Sequence, residues 1–86
     1  MSTDISLTLY PFPGTHHDAA PVSFYWYADT PDELEVRDER GLVIDNLLVQ
    51  RGQGPIKSYI TWTVEDYCAE HGINPADCSE EWGTPT

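Results

Sequence analysis

The chain has 86 residues, 40 % of them hydrophobic, with three Trp, five Tyr and two Phe; fifteen Asp and Glu oppose four Lys and Arg, for a net charge of −11. That length predicts one domain over residues 1–86, with a core that buries only roughly 60 % of the unfolded surface and leaves little room for a deep substrate cleft. The charge argues against nucleic acid or an anionic membrane as a direct ligand, because phosphates repel carboxylates; it favours a basic protein surface, a divalent cation or adaptation to high salt.

No apolar run reaches the roughly 18 residues of a membrane span. Residues 1–8 lack the basic start and apolar block of a secretory signal. With only Cys68 and Cys78, the expectation is a cytoplasmic protein with free thiols.

In chain order, residues 5–10 alternate, with Ile5, Leu7 and Leu9 on one face, which predicts a half-buried strand ended by Pro11, Pro13 and Gly14. Residues 15–21, with His16 and His17, read as a loop. Residues 22–27 predict a second strand carrying Val22, Phe24 and Trp26 on one side and Tyr25 and Tyr27 on the other. Aromatics on both faces suit an interior strand or an edge that meets a partner. Residues 33–38 and 42–49 predict a hairpin closed by Asp38-Glu39-Arg40-Gly41, with Gly41 at the left-handed position. A helix start at Thr30-Pro31-Asp32-Glu33 competes, but the alternation of Leu34 and Val36 with charged neighbours favours the hairpin. Residues 56–62 alternate again and predict a fifth strand. A helix follows, capped by Thr63, with Val64, Tyr67 and Cys68 on one stripe and Gly72 as its stop. Asn74-Pro75 opens a further short helical turn to about Glu80. The expected fold is α+β: a mainly antiparallel sheet of four to five strands with one helix packed on one face.

The charge is segregated. Residues 29–45 hold seven acids against Arg37 and Arg40, residues 46–64 hold Arg51 and Lys57 and no acid, and residues 65–86 hold six acids and no base. Along a strand, side chains two apart share a face about 6.6–6.8 Å apart. Glu33, Glu35 and Glu39 are therefore expected as a row opposite Leu34 and Val36. Asp66 and Glu70, at i and i+4, share a helix face. High-salt adaptation, the rival account, predicts acid spread over the whole chain, which the acid-free stretch opposes.

Other chemistry is weakly supported. Cys68, His71 and Cys78, with His16 and His17, lack the paired Cys-x-x-Cys units of structural zinc, and no metal or cofactor is expected. A Cys68–Cys78 disulfide conflicts with a cytoplasmic setting. A Cys/His nucleophile set has no signature spacing, and Gly52-x-Gly54-Pro55 is too short to cradle phosphate. No enzymatic activity is expected.

By length, by its charge of −11 and by the acid clusters at residues 32–39 and 65–81, the chain resembles the small acidic proteins with which bacteriophages disable host nucleic-acid machinery, the anti-CRISPR, anti-restriction and other DNA-mimic proteins. This resemblance lies in size and charge and assigns no residue roles. It implies an inhibitor that binds the basic nucleic-acid-binding surface of a target complex, acting in the cytoplasm of a bacterial host. From the residues, Glu33, Glu35, Asp38, Glu39, Asp66 and Glu70 supply the expected charge, and Tyr25, Tyr27 and Trp82 the anchoring contacts. The alternative is a structural or assembly subunit of a virion or complex that associates through the outer aromatic face of its sheet.

Overall fold

A computed structural model of the chain describes residues 4–13, 20–50 and 52–84. Its elements are β1 (Ile5–Pro11), β2 (Val22–Trp26), β3 (Glu33–Arg37), β4 (Val43–Leu48), α1 (Ile56–Glu70), a short 3-10 turn (Pro75–Asp77) and β5 (Cys78–Gly83). The strands form one antiparallel sheet in the order β4-β3-β2-β1-β5. The fold is α+β, with a five-stranded sheet and one helix. The first four strands meander; α1 then carries the chain back to place β5 beside β1.

Register follows from alternation. Leu7 stands opposite Phe24, Ile5 opposite Trp26 and Leu9 opposite Val22, while Phe24 and Trp26 also face Val36 and Leu34 on β3. All eight are buried on one face of the sheet. A one-residue slip would turn this set out to solvent, which specifies the pairing. α1 covers that face with Ile60, Val64, Tyr67 and Cys68, and the Tyr67 ring meets Phe24 edge-on at 5.5 Å. β2 lies in the middle of the sheet, which explains aromatic residues on both of its sides.

Local signals account for the turns. Gly41 closes the β3–β4 hairpin with φ of +86°, a value that strains any residue with a Cβ. The Gly41 amide donates to the Asp38 carbonyl at 3.0 Å and the Asp38 amide to the Leu42 carbonyl at 3.0 Å. Ile44 is the extra residue of a bulge, because Val36 pairs with Asp45 and Arg37 with Val43. At the far end of α1, Gly72 has φ of +70°, and the Ile73 amide returns to the Cys68 carbonyl at 2.8 Å, the six-to-one bond of a Schellman stop.

Two expectations fail. Residues 56–62 are the first half of α1, not a strand, and Thr63 is therefore interior. Its hydroxyl donates to the Tyr59 carbonyl at 2.9 Å, and the helix starts after Pro55 with no side-chain cap. Ile56, Ile60, Val64 and Cys68 lie four apart, with Tyr59, Thr63 and Tyr67 one residue before the last three. This stripe has helical period as well as a local two-residue alternation. Packing against the sheet decides between them, overriding the strand preference of Ile, Tyr, Thr and Trp. The second failure is beyond Asn74. Its side chain caps the 3-10 turn at the Ala76 amide, but the turn ends at Asp77. Residues 78–83 form β5, held by pairing with β1 from Pro11↔Cys78 to Ser6↔Gly83.

Candidate functional site

The acids expected to act together lie in different layers. Glu33 and Glu35 are on the face of β3 away from α1, opposite Leu48 and Asn46. The next position in that row is Arg37, not an acid. Arg37 bonds Glu35 through Nε at 2.6 Å and Nη2 at 2.5 Å, reaches the Tyr27 hydroxyl at 3.3 Å and lies 4.4 Å from the centroid of the Tyr25 ring. Tyr25 and Tyr27 stand edge to face at 6.4 Å. Burial pushes the Tyr27 phenol up, with Arg37 opposing it. The outer face is thus a local Tyr–Arg–Tyr–Glu cluster and not a continuous carboxylate row.

Glu39 does not extend that row either, because the strand ends at Arg37 and Glu39 falls in the turn. Asp38 builds the turn: its Oδ1 accepts from the Arg40 amide at 2.9 Å and the Leu42 amide at 3.0 Å, and Oδ2 pairs with the Arg40 guanidinium at 3.1 Å. The Leu42 amide, opposed by desolvation and helped by Arg40, holds the Asp38 carboxyl below its ordinary value. Its support of the turn is complete above the unfolded carboxyl value of about 3.9 and is lost as pH falls through the depressed folded value. Asp38→Ala is expected to lower the thermal midpoint at neutral pH and to flatten its decline in acid. Asp38→Asn keeps most of the neutral midpoint, since the amide oxygen still accepts both backbone bonds. An unchanged midpoint in Asp38→Ala would show that Gly41 alone closes the turn.

Asp66 and Glu70 are exposed on α1, on the other side of the sheet from Glu33 and Glu35. Trp82 is separate again. It is half-buried at the β5 edge opposite Leu7, with the Lys57 Nζ 5.2 Å from its ring centroid. The nine residues singled out from sequence therefore divide among the outer sheet face, the β3–β4 turn, the helix and the far edge.

A different assembly arises where α1 runs beside β4. A solvent-open groove of about 480 Å3 is lined by Leu47, Leu48, Gln50, Tyr59, Trp62, Thr63, Tyr67, Asp66 and Glu70. Trp62 is 60 % exposed and Leu48 71 %. Tyr59 tucks its hydroxyl against the Gly54 amide at 2.8 Å and its ring edge-on to Trp62 at 5.2 Å. Asp45 belongs to the same place: it pairs across from Val36 on the helix side, and after burial it is the main charge raising the Tyr67 phenol. One acid of the first block thus stands on the helix side, where its charge acts on Tyr67, a residue that lines the groove with Asp66 and Glu70. The groove is hidden in the sequence because the alternation of residues 56–62 predicts a strand where Trp62 lies on α1. The signal available was five apolar residues among Leu42 to Leu48 next to a helix-periodic stripe.

The thiols do not form a reactive centre. Cys68 and Cys78 are free and buried; burial, with Cys78 and Glu65 adding to it, pushes the Cys68 thiol from 9.0 up to about 11. Burial likewise raises Cys78, whose Sγ contacts the Asn74 carbonyl. The stability that Cys68 contributes is fully present below about pH 9 and is lost as pH rises through about 11. In the folded protein both thiols are expected to resist a disulfide reagent near pH 8 and to react at once in denaturant; fast native labelling would contradict their burial. His71 caps α1 and packs on Tyr67, ring centroids 4.1 Å apart. Among the described residues no group of three or more His, Cys, Asp or Glu can hold a metal; His16 and His17 lie outside them. No described helix is long and apolar enough to cross a membrane.

Comparison with protein-family models, with characterised proteins and with solved structures finds no match to this chain.

Proposed function

We propose that this chain is a non-enzymatic binding protein of the bacterial cytoplasm, which docks on the basic, nucleic-acid-binding surface of a target protein or ribonucleoprotein and blocks it, as an anti-CRISPR or anti-restriction inhibitor would. One observation carries the reading. Among the described residues the ion pairs are Glu35–Arg37 and Asp38–Arg40, each two residues apart in one hairpin. Glu33, Glu39, Asp66 and Glu70 are exposed and have no cation of their own chain in these pairs. A surplus of this size destabilises the compact state by self-repulsion, and a basic partner relieves it. Mimicry of a regular phosphate array is the narrower version. It draws less support from the outer face, where Arg37 interrupts the carboxylates, than from the helix.

The test is retention of proteins from a bacterial lysate on immobilised chain at low salt, followed by competition with duplex DNA. The expected result is a nucleic-acid-binding protein released by DNA and by salt. Retained proteins that neither DNA nor salt displaces would refute the proposal. The exposed apolar edge of β4 favours a second reading, a structural or assembly subunit. Its mark is a stable homo-oligomer in sedimentation at micromolar concentration.

A further inference from the structure

We propose that the free edge of β4 and the groove beside it take one extended basic segment of a partner protein as a sixth strand of the sheet. This rests on the reading of the chain as a binder of basic surfaces and specifies how such a partner is held.

Among the described residues β4 ends the sheet and pairs with β3 alone. An edge strand turns a row of backbone donors and acceptors outward, which is a template for a further strand. Val43, Ile44 and Leu48 are 49 %, 53 % and 71 % exposed along it. Such an edge is ordinarily blunted by a bulge or an inward-pointing charge, and this one has both: the Ile44 bulge and Asp45, which faces the helix side opposite Val36.

These features select the occupant. A second copy paired antiparallel about the middle of β4 sets Asp45 near Asp45, with Asp66 and Glu70 of both chains alongside, and like charges across a strand pair destabilise it. A strand with Lys or Arg on its groove side meets the opposite situation. The aliphatic stem of each basic side chain lies on Leu47 and the face of Trp62, while its charged end reaches Asp45, Asp66 or Glu70. Intervening apolar residues fall on the other side of the new strand, beside Ile44 and Leu48. The chemistry recognised is therefore an extended segment that alternates basic with β-branched residues.

The experiment uses a capped peptide of about ten residues alternating Lys and Val, with a Glu–Val peptide of equal length as control, titrated into the isotopically labelled full chain. Amide shifts and hydrogen exchange are read by NMR. The expected result is binding of the Lys–Val peptide alone, new exchange protection along Val43–Leu48 and a shifted Trp62 indole. Asp66→Asn with Glu70→Gln weakens binding by about tenfold, whereas Glu33→Gln with Glu39→Gln changes it by less than about twofold. Binding whose shifts map to the β3–β4 turn or the outer face overturns the edge site and leaves the wider reading standing. Absence of binding by the Lys peptide, together with no DNA-displaceable target in the lysate, overturns both. Concentration-dependent protection of β4 without peptide identifies a second copy as the occupant and overturns the basic strand.

Discussion

Phe24→Ala is expected to lower the unfolding free energy by about 3–5 kcal/mol. Phe24 is fully buried in the central strand, between Leu7 on β1 and Val36 on β3, and meets Tyr67 of α1 edge-on. Its removal opens a cavity where sheet and helix join and abolishes an aromatic pair worth about 0.5–1.5 kcal/mol beyond its area. A small domain has little more than about 5 kcal/mol to lose, so the variant keeps only about 0–2 kcal/mol and its urea midpoint falls close to zero denaturant. Urea denaturation followed by tryptophan fluorescence measures the change. Tyr25→Ala, one residue away but on the outer face, is the control, with an expected loss well under half as large. A loss below about 1 kcal/mol for Phe24→Ala would mean that this face is not the core.

The second large effect is on association with a basic target. Between about 0.1 M and about 1 M salt the screening length falls from ~10 Å to ~3 Å. Affinity for the target is expected to fall by about a hundredfold over that range, mostly through slower encounter. Asp66→Lys with Glu70→Lys is expected to produce a comparable loss at low salt and to remove most of the salt dependence. Both residues are exposed on α1 and are not part of the core cluster, so the fold is expected to be preserved, which circular dichroism checks. Affinity that holds constant across salt, or survives the double reversal, would refute an electrostatic account. Surface-plasmon measurements on the purified target separate association from dissociation.

Legibility in the sequence tracked how local each feature is. The β3–β4 hairpin was readable because Leu34 and Val36 alternate with charges and Gly41 marks the turn; both signals lie within a few residues of the structure they specify. The close of α1 was readable for the same reason at Gly72. Residues 56–62 were not, because Ile56-x-x-x-Ile60 satisfies both a two-residue and a helical period over so short a run. Nor was β5, where Glu80 and Glu81 hide the alternation of Cys78 and Trp82. For the candidate site, the acids were visible as blocks, but their grouping was not. The row expected of Glu33, Glu35 and Glu39 breaks because the strand ends at Arg37 and Glu39 lies in the turn, and Asp38 is bound to that same turn.

The amino-acid order by itself therefore determined the acidity, the inward face of the first three strands and the two glycine stops, all consequences of side-chain type and short-range periodicity. The tertiary structure alone decided which layer each acid occupies. Laying α1 on one face of the sheet separates Glu33 and Glu35 from Asp66 and Glu70. Leaving β4 at the edge puts Asp45 on the helix side, where its charge acts on Tyr67, and opens the groove in which Asp66 and Glu70 accompany an exposed Trp62. Both follow from pairings between residues far apart in the chain, whose energies depend on packing partners that no local window contains.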